Sequence, residues 1–184
     1  MDEIVKAAMA KWPNVPDCVG WLGLDARGQW WMRDERAQAA GPFAGPRARP
    51  ASKGSCLQHA KLIEFIQRNY AADAQGRWFF QNGPQRVFVE LERAPWVWRV
   101  DAQGVLCSHT GLPAQYRSSW IDEAGYLYVF TDIGLGVVHS QDMWAAAECV
   151  ASGQWQPQPC LASELPQRCG FVPSPQAAQA ATQK

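Results

Sequence analysis

The stretch Asp73-Ala-Gln-Gly-Arg-Trp-Phe-Phe-Gln-Asn-Gly-Pro-Gln-Arg-Val-Phe-Val-Glu-Leu-Glu92 decides the fold. It opens on an Asp-x-x-Gly turn. The aspartate can bond its own turn backbone, and the glycine can take the left-handed conformation that ends such a turn. Trp78 and Phe80 then share one face of a strand, because successive side chains alternate. Asn82-Gly83-Pro84 turns the chain back. In the returning strand, Val87, Val89 and Leu91 point one way while Arg86, Phe88, Glu90 and Glu92 point the other.

Working outward, the same signal recurs three times. Asp25-Ala-Arg-Gly28 joins Val19–Leu24 to Gln29–Arg33, Asp101-Ala-Gln-Gly104 joins Trp96–Val100 to Val105–His109, and Asp122-Glu-Ala-Gly125 precedes Tyr126–Phe130. The four turns start 48, 28 and 21 residues apart, which fits no propeller or solenoid period. Helical spacing marks residues 2–12, with Asp2 as cap and Ile4, Val5, Ala8 and Trp12 on one side. It also marks 57–70, entered by a Ser55/Gln58 capping box and lined by Leu62, Ile63, Ile66 and Tyr70. A further helix is expected over 141–150. The fold class expected is α+β: irregularly repeated strand–turn–strand units forming an antiparallel sheet, packed with two or three helices.

The organisation expected is an N-terminal helix and linker over 1–18, then a first hairpin, a mobile Pro/Gly loop (35–54) and a helix over 19–72. Residues 73–152 supply the antiparallel sheet and its following helix, packed with 19–72 as one unit. A Pro/Gln/Ala-rich tail, 153–184, ends in disorder after Pro173.

Leu, Ile, Val and Phe are sparse, and ten Trp make up the apolar area. Formal net charge is zero, which argues against nucleic acid as a partner, since that needs a basic face. Arg47 and Arg49 are read as a solvated loop. There is no apolar run of membrane-spanning length, and acidic Asp2 and Glu3 stand where a signal peptide would be basic, so the cytoplasm is the expected location. Six cysteines without a C-x-x-C pair are then free thiols.

Several groupings could be taken for chemistry. Cys107 and His109 share a strand face and could ligate zinc, but Cys149, Cys160 and Cys169 lie at spacings that match no finger, so no metal is expected. Ser108 or Ser140 beside a histidine, with Asp122 or Asp142, lacks a nucleophile elbow and is read as strand-end hydrogen bonding. Gly134-Leu-Gly136 lacks the remainder of a phosphate loop and is read as a bend. The notable feature is the aromatic group Trp78, Phe80, Trp96 and Trp98. If their strands are neighbours, these rings share one sheet face and wall a groove with Asn82 and Arg86 at its rim, where a small molecule or a partner's side chain would bind.

Lys11–Pro16 (K-W-P-N-V-P), Trp78–Val87 (W-F-F-Q-N-G-P-Q-R-V) and Ala94–Trp96 (A-P-W) resemble a small, mainly betaproteobacterial family of unknown function. The order of hairpin, helix and turn also resembles a more distant proteobacterial family, of unknown function as well. That second resemblance implies an α+β fold with repeated motifs and a link to signalling. Neither carries chemistry to particular residues. The function read from the sequence is a non-enzymatic binding or regulatory module without cofactor, with an unknown small molecule or protein as partner, no nucleic acid, no membrane and room for a homo-oligomer. The alternative is an enzyme with an unrecognised active site, which would show convergent titratable groups in a cleft.

Overall fold

A computed structural model describes residues 1–182. In chain order the first elements are α1 (Glu3–Lys11), β1 (Cys18–Leu24), β2 (Trp30–Met32), α2 (Glu35–Ala40), β3 (Ser55–Cys56), α3 (Ala60–Arg68), β4 (Tyr70–Ala72), β5 (Trp78–Asn82) and β6 (Gln85–Leu91). There follow β7 (Trp96–Val100), β8 (Leu106–Ser108), β9 (Pro113–Ala114), β10 (Tyr116–Ile121), β11 (Leu127–Thr131), β12 (Gly134–Val138) and α4 (Met143–Ala151). The last are β13 (Gln158–Pro159), α5 (Leu165–Cys169) and α6 (Pro175–Thr182). Among the described residues no helix is long and apolar enough to cross a membrane.

The fold is α+β, but its two sheets are mixed rather than antiparallel. One has strand order β3-β2-β1-β6-β5-β4, with β1 and β6 parallel. The other runs β9-β8-β7-β12-β11-β10 and is extended by β13, with β7 and β12 parallel. The two orders are the same. In each sheet an Asp-x-x-Gly turn joins the first and second strands, another joins the fourth and fifth, and a shorter turn joins the fifth and sixth. Gly28, Gly76, Gly104 and Gly125 have φ of 74°, 75°, 81° and 81°, the left-handed residue each turn needs. The repeat is therefore regular in topology. Its uneven spacing arises because the connection from β2 through β3 to β4 takes residues 33–69, whereas that from β8 through β9 to β10 takes only 109–115. The parallel pairs could not be read from turns, because they join strands distant in sequence.

The described chain divides into two compact units, one of 1–25, 29–92 and the segment from 171 to 182, the other of 26–28 and 93–170. The first unit takes in β5 and β6 because both pair into the first sheet. In the first unit, one face of the sheet carries Leu22, Leu24, Val89 and Leu91, all buried, and Phe80 meets Phe65 of α3 edge-on at 5.4 Å. On α1 only Val5 is buried, whereas Ile4 and Trp12 are exposed. Asp2 does not cap that helix through its side chain; it pairs with Arg68 and Asn69. Helix α3 starts later than its capping-box signal, with His59 Nδ1 accepting from Leu62 N, because Ser55 is drawn into β3 and Tyr70 into β4.

Two segments expected to lack fixed structure have it. The 35–54 loop contains α2 and a 3-10 turn at Pro50–Ser52, and buries Phe43 against β1. A Cβ on Gly23 would lie 2.5 Å from the Phe43 ring, so the missing side chain makes room for it. The tail returns to the first sheet, where Leu91 N donates to Pro173 O, and continues as α6. Gln183 and Lys184, part of the tail expected to be disordered, lie outside the described residues.

Candidate functional site

The aromatic group does not assemble on one face. Trp78 and Phe80 belong to the first sheet, Trp96 and Trp98 to the second. Within the first unit, Tyr70 lies between Trp30 (5.2 Å, edge-on) and Trp78 (4.8 Å). Trp78 is half-buried, Phe80 buried and Asn82 exposed at the strand end. Arg86 is on the opposite face from Trp78 and Phe80, since it pairs across from Gln81 while Phe80 pairs with Val87. Its guanidinium stacks over Phe79 and Phe88 and makes a two-pronged pair with Asp17. Asn82, which pairs with Gln85, is on the face of Trp78 and Phe80, away from Arg86.

Trp96 and Trp98 form the buried, tryptophan-rich core of the second unit, their rings stacked with centroids 6.2 Å apart. Each indole N–H finds a backbone acceptor, Ile133 O for Trp96 and Val129 O for Trp98, both at 2.8 Å. The neighbouring strand makes room: a Cβ on Gly136 would lie 2.4 Å from Trp98 Nε1. Gly134-Leu-Gly136 is thus an indole-packing strand, not a bend and not a phosphate loop.

The groups that resembled a triad are committed to the backbone. His109 Nδ1 accepts from Val97 N at 3.3 Å, and His139 Nδ1 from Gln141 N at 3.1 Å. Ser108 Oγ accepts from Leu112 N and meets Thr110 Oγ1. Asp142 holds Arg99 and Val100 N, while Asp122 closes its own turn and accepts from Tyr128 OH at 3.0 Å. Burial pushes the Tyr128 hydroxyl well up, with the Asp122 charge adding to it. All six cysteines are free; only Cys149 is fully buried, the rest being half-exposed. Among the described residues no three His, Cys, Asp or Glu side chains cluster as metal ligands would.

Burial alone lowers the His109 pKa from 6.5 to about 3, so the ring is neutral at pH 7. The unfolded chain takes up a proton near the ordinary value while the folded one does not. Stability of the second unit is therefore present above pH 6.5 and lost as pH falls toward 3, by up to about 2 kcal/mol at pH 5. Denaturant unfolding at pH 7 and pH 5 should show this slope in the natural chain and a shallower one in His109→Asn. Equal slopes would place the acid sensitivity elsewhere.

Sequence reasoning missed two features. The first is a buried polar network in the first unit. Arg33, wholly buried, donates to the carbonyls of Ser52 (2.8 Å), Gly20 (3.0 Å) and Gly41 (2.7 Å), and to Gln176 Oε1 (3.2 Å). Desolvation lowers its pKa, opposed by the charge of Glu90. Glu90 is buried too; desolvation raises its pKa although Ser174 Oγ and Gln176 N donate to it. An acidic residue between buried Val89 and Leu91 was the available signal. The second feature is Trp144, 78% exposed on α4. It lies opposite the buried Ala146 and Cys149, which helical spacing alone would place.

These observations define a class: an α+β protein with one strand order used twice and an aromatic core in its second unit. The chain belongs to the family DUF2944, described as a protein of unknown function (DUF2946), whose model matches residues 1–176. It is similar to a solved DUF1285 family protein from Silicibacter pomeroyi DSS-3, with 14% identity, 80% of this chain and 84% of that chain covered, and a TM-score of 0.48. It is also similar to a solved DUF1285 family protein from Shewanella baltica OS155, with 13% identity, 70% and 91% covered, and a TM-score of 0.44. No curated protein matches it.

Proposed function

We propose that the protein is a non-enzymatic binding or regulatory module of the cytoplasm whose protein partner seats on the outward face of α4. The observation that carries this reading is the exposure of Trp144 beside exposed Met143 and Ala147, with Glu148 as the charge on that face. An indole left in water is an unfavourable use of a large apolar side chain, and Trp is enriched among residues that dominate protein interfaces. Zero net charge points to a protein rather than a nucleic acid as the occupant. The six unpaired thiols suit a reducing compartment.

A photo-crosslinking residue placed at position 144 of the full chain, in native host cells, tests the reading. One discrete heterologous adduct is expected, absent when the same residue replaces exposed Glu64 and lost in Met143→Glu/Ala147→Glu. No adduct from 144, a pattern identical to that from 64, or an adduct with a second copy of the chain would each overturn it.

A further inference from the structure

The loop at 33–54 and the returning segment at 171–182 are both held by buried Arg33, and the returning segment by buried Glu90 as well. Arg33 ties down the loop through the carbonyls of Gly41 and Ser52. The same guanidinium donates to Gln176 of the returning segment. Glu90 accepts from Ser174 Oγ and Gln176 N, which fastens the first turn of α6 to β6. Gln176 Nε2 then donates to Gln38 Oε1 on α2 at 3.0 Å, so the two segments also meet directly. Gly20 leaves the space: a Cβ there would lie 2.5 Å from Gln176 Nε2 and 2.7 Å from Gln38 Oε1.

We propose that the 33–54 loop and the 171–182 segment form one latch, keyed by Arg33 and Glu90, whose two halves open and close together and which, when open, exposes the Glu90 carboxylate on the first sheet. What holds each half is chiefly polar. The returning segment fully buries only Phe171 and Pro175, and the loop only Arg33, Ala37, Phe43 and Ser52. Segments with few buried apolar side chains open at lower free energy than the sheets they cover. The closed state also keeps a carboxylate out of water against a desolvation penalty that its partners only partly offset. The coupling is reciprocal, because a shared set of hydrogen bonds cannot loosen one half without loosening the other.

Hydrogen–deuterium exchange on the full chain tests this with substitutions confined to one half. Gln176→Ala leaves the loop's sequence untouched. Removing its bonds to Arg33 and Gln38 should speed exchange of the amides of Gly41, Ala48, Ser52 and Lys53 by about tenfold, the factor expected for one charge-assisted hydrogen bond. Ser52→Ala, which removes the hydroxyl bonded to Pro42 O, should in return speed exchange at Gln176 and Ala178. Peptides from β10–β12 of the second unit serve as the internal standard and should not change. The latch is overturned if Gln176→Ala loosens only 171–182, if Ser52→Ala loosens only the loop, or if either speeds exchange equally across both units. Should Gln176→Ala prove unstable, Ser174→Ala, which keeps Gln176, applies the same comparison.

Discussion

Gly136→Ala should destabilise the second unit by about 3 kcal/mol, a large share of the 5–15 kcal/mol that holds most domains together. The new Cβ would lie 2.4 Å from Trp98 Nε1, 2.6 Å from Trp98 Cε2 and 2.8 Å from Trp96 Cβ. Those atoms cannot yield easily, because Trp98 is fully buried and its indole N–H is directed at Val129 O. Overpacking of this kind costs about 1–3 kcal/mol, and a buried N–H pulled off its acceptor adds a similar amount. Urea unfolding followed by tryptophan fluorescence measures the loss. Gly125→Ala is the control: its φ of 81° penalises alanine by about 1–2 kcal/mol, but nothing lies within 4 Å of its Cβ. Equal losses for the two variants would mean that the space at Gly136 is not what the tryptophans need.

Arg33→Met should cost the first unit about 3–5 kcal/mol, the range for removing one member of a buried charged network. Methionine fills much the same volume but leaves the carbonyls of Gly20, Gly41 and Ser52 without their donor and Glu90 without its neighbouring cation. Lysine should rescue little, because one ammonium cannot reach three carbonyls in the directions a guanidinium does. A pH signature separates this from simple loss of packing. Glu90 has a raised pKa in the folded state, so the fold binds its proton more tightly than the unfolded chain. That contribution to stability is present at low pH and lost as pH rises through the raised value. Removing Arg33 removes an opposing positive charge, so Arg33→Met should regain stability on acidification, relative to the natural chain, and Arg33→Met/Glu90→Gln should not. A loss that is the same at every pH, in single and double variants alike, would reduce Arg33 to a packing residue.

The hairpins were legible because their signals are local. Asp-x-x-Gly needs only four adjacent residues, and the alternation through 86–92 needs only the pleat, so the turns, the strand faces and the helices at 141–150 and near 60–68 follow from neighbours in sequence. The aromatic site was not legible. Trp78 and Phe80 share a face, as do Trp96 and Trp98, but whether the two pairs meet depends on which sheet each strand joins. The parallel pairings β1–β6 and β7–β12 sort them into separate sheets.

What the sequence alone determined is therefore the repeated unit: its turns, its strand alternation, its α+β class and a core supplied by tryptophan. What only the tertiary structure decided is partnership at long range. A single guanidinium at Arg33 orders a loop that composition marks as mobile and captures a tail that composition marks as disordered. Composition measures how much apolar surface a segment can bury. It carries no record of a buried charge 143 residues away whose unmet hydrogen bonds make ordering that segment favourable.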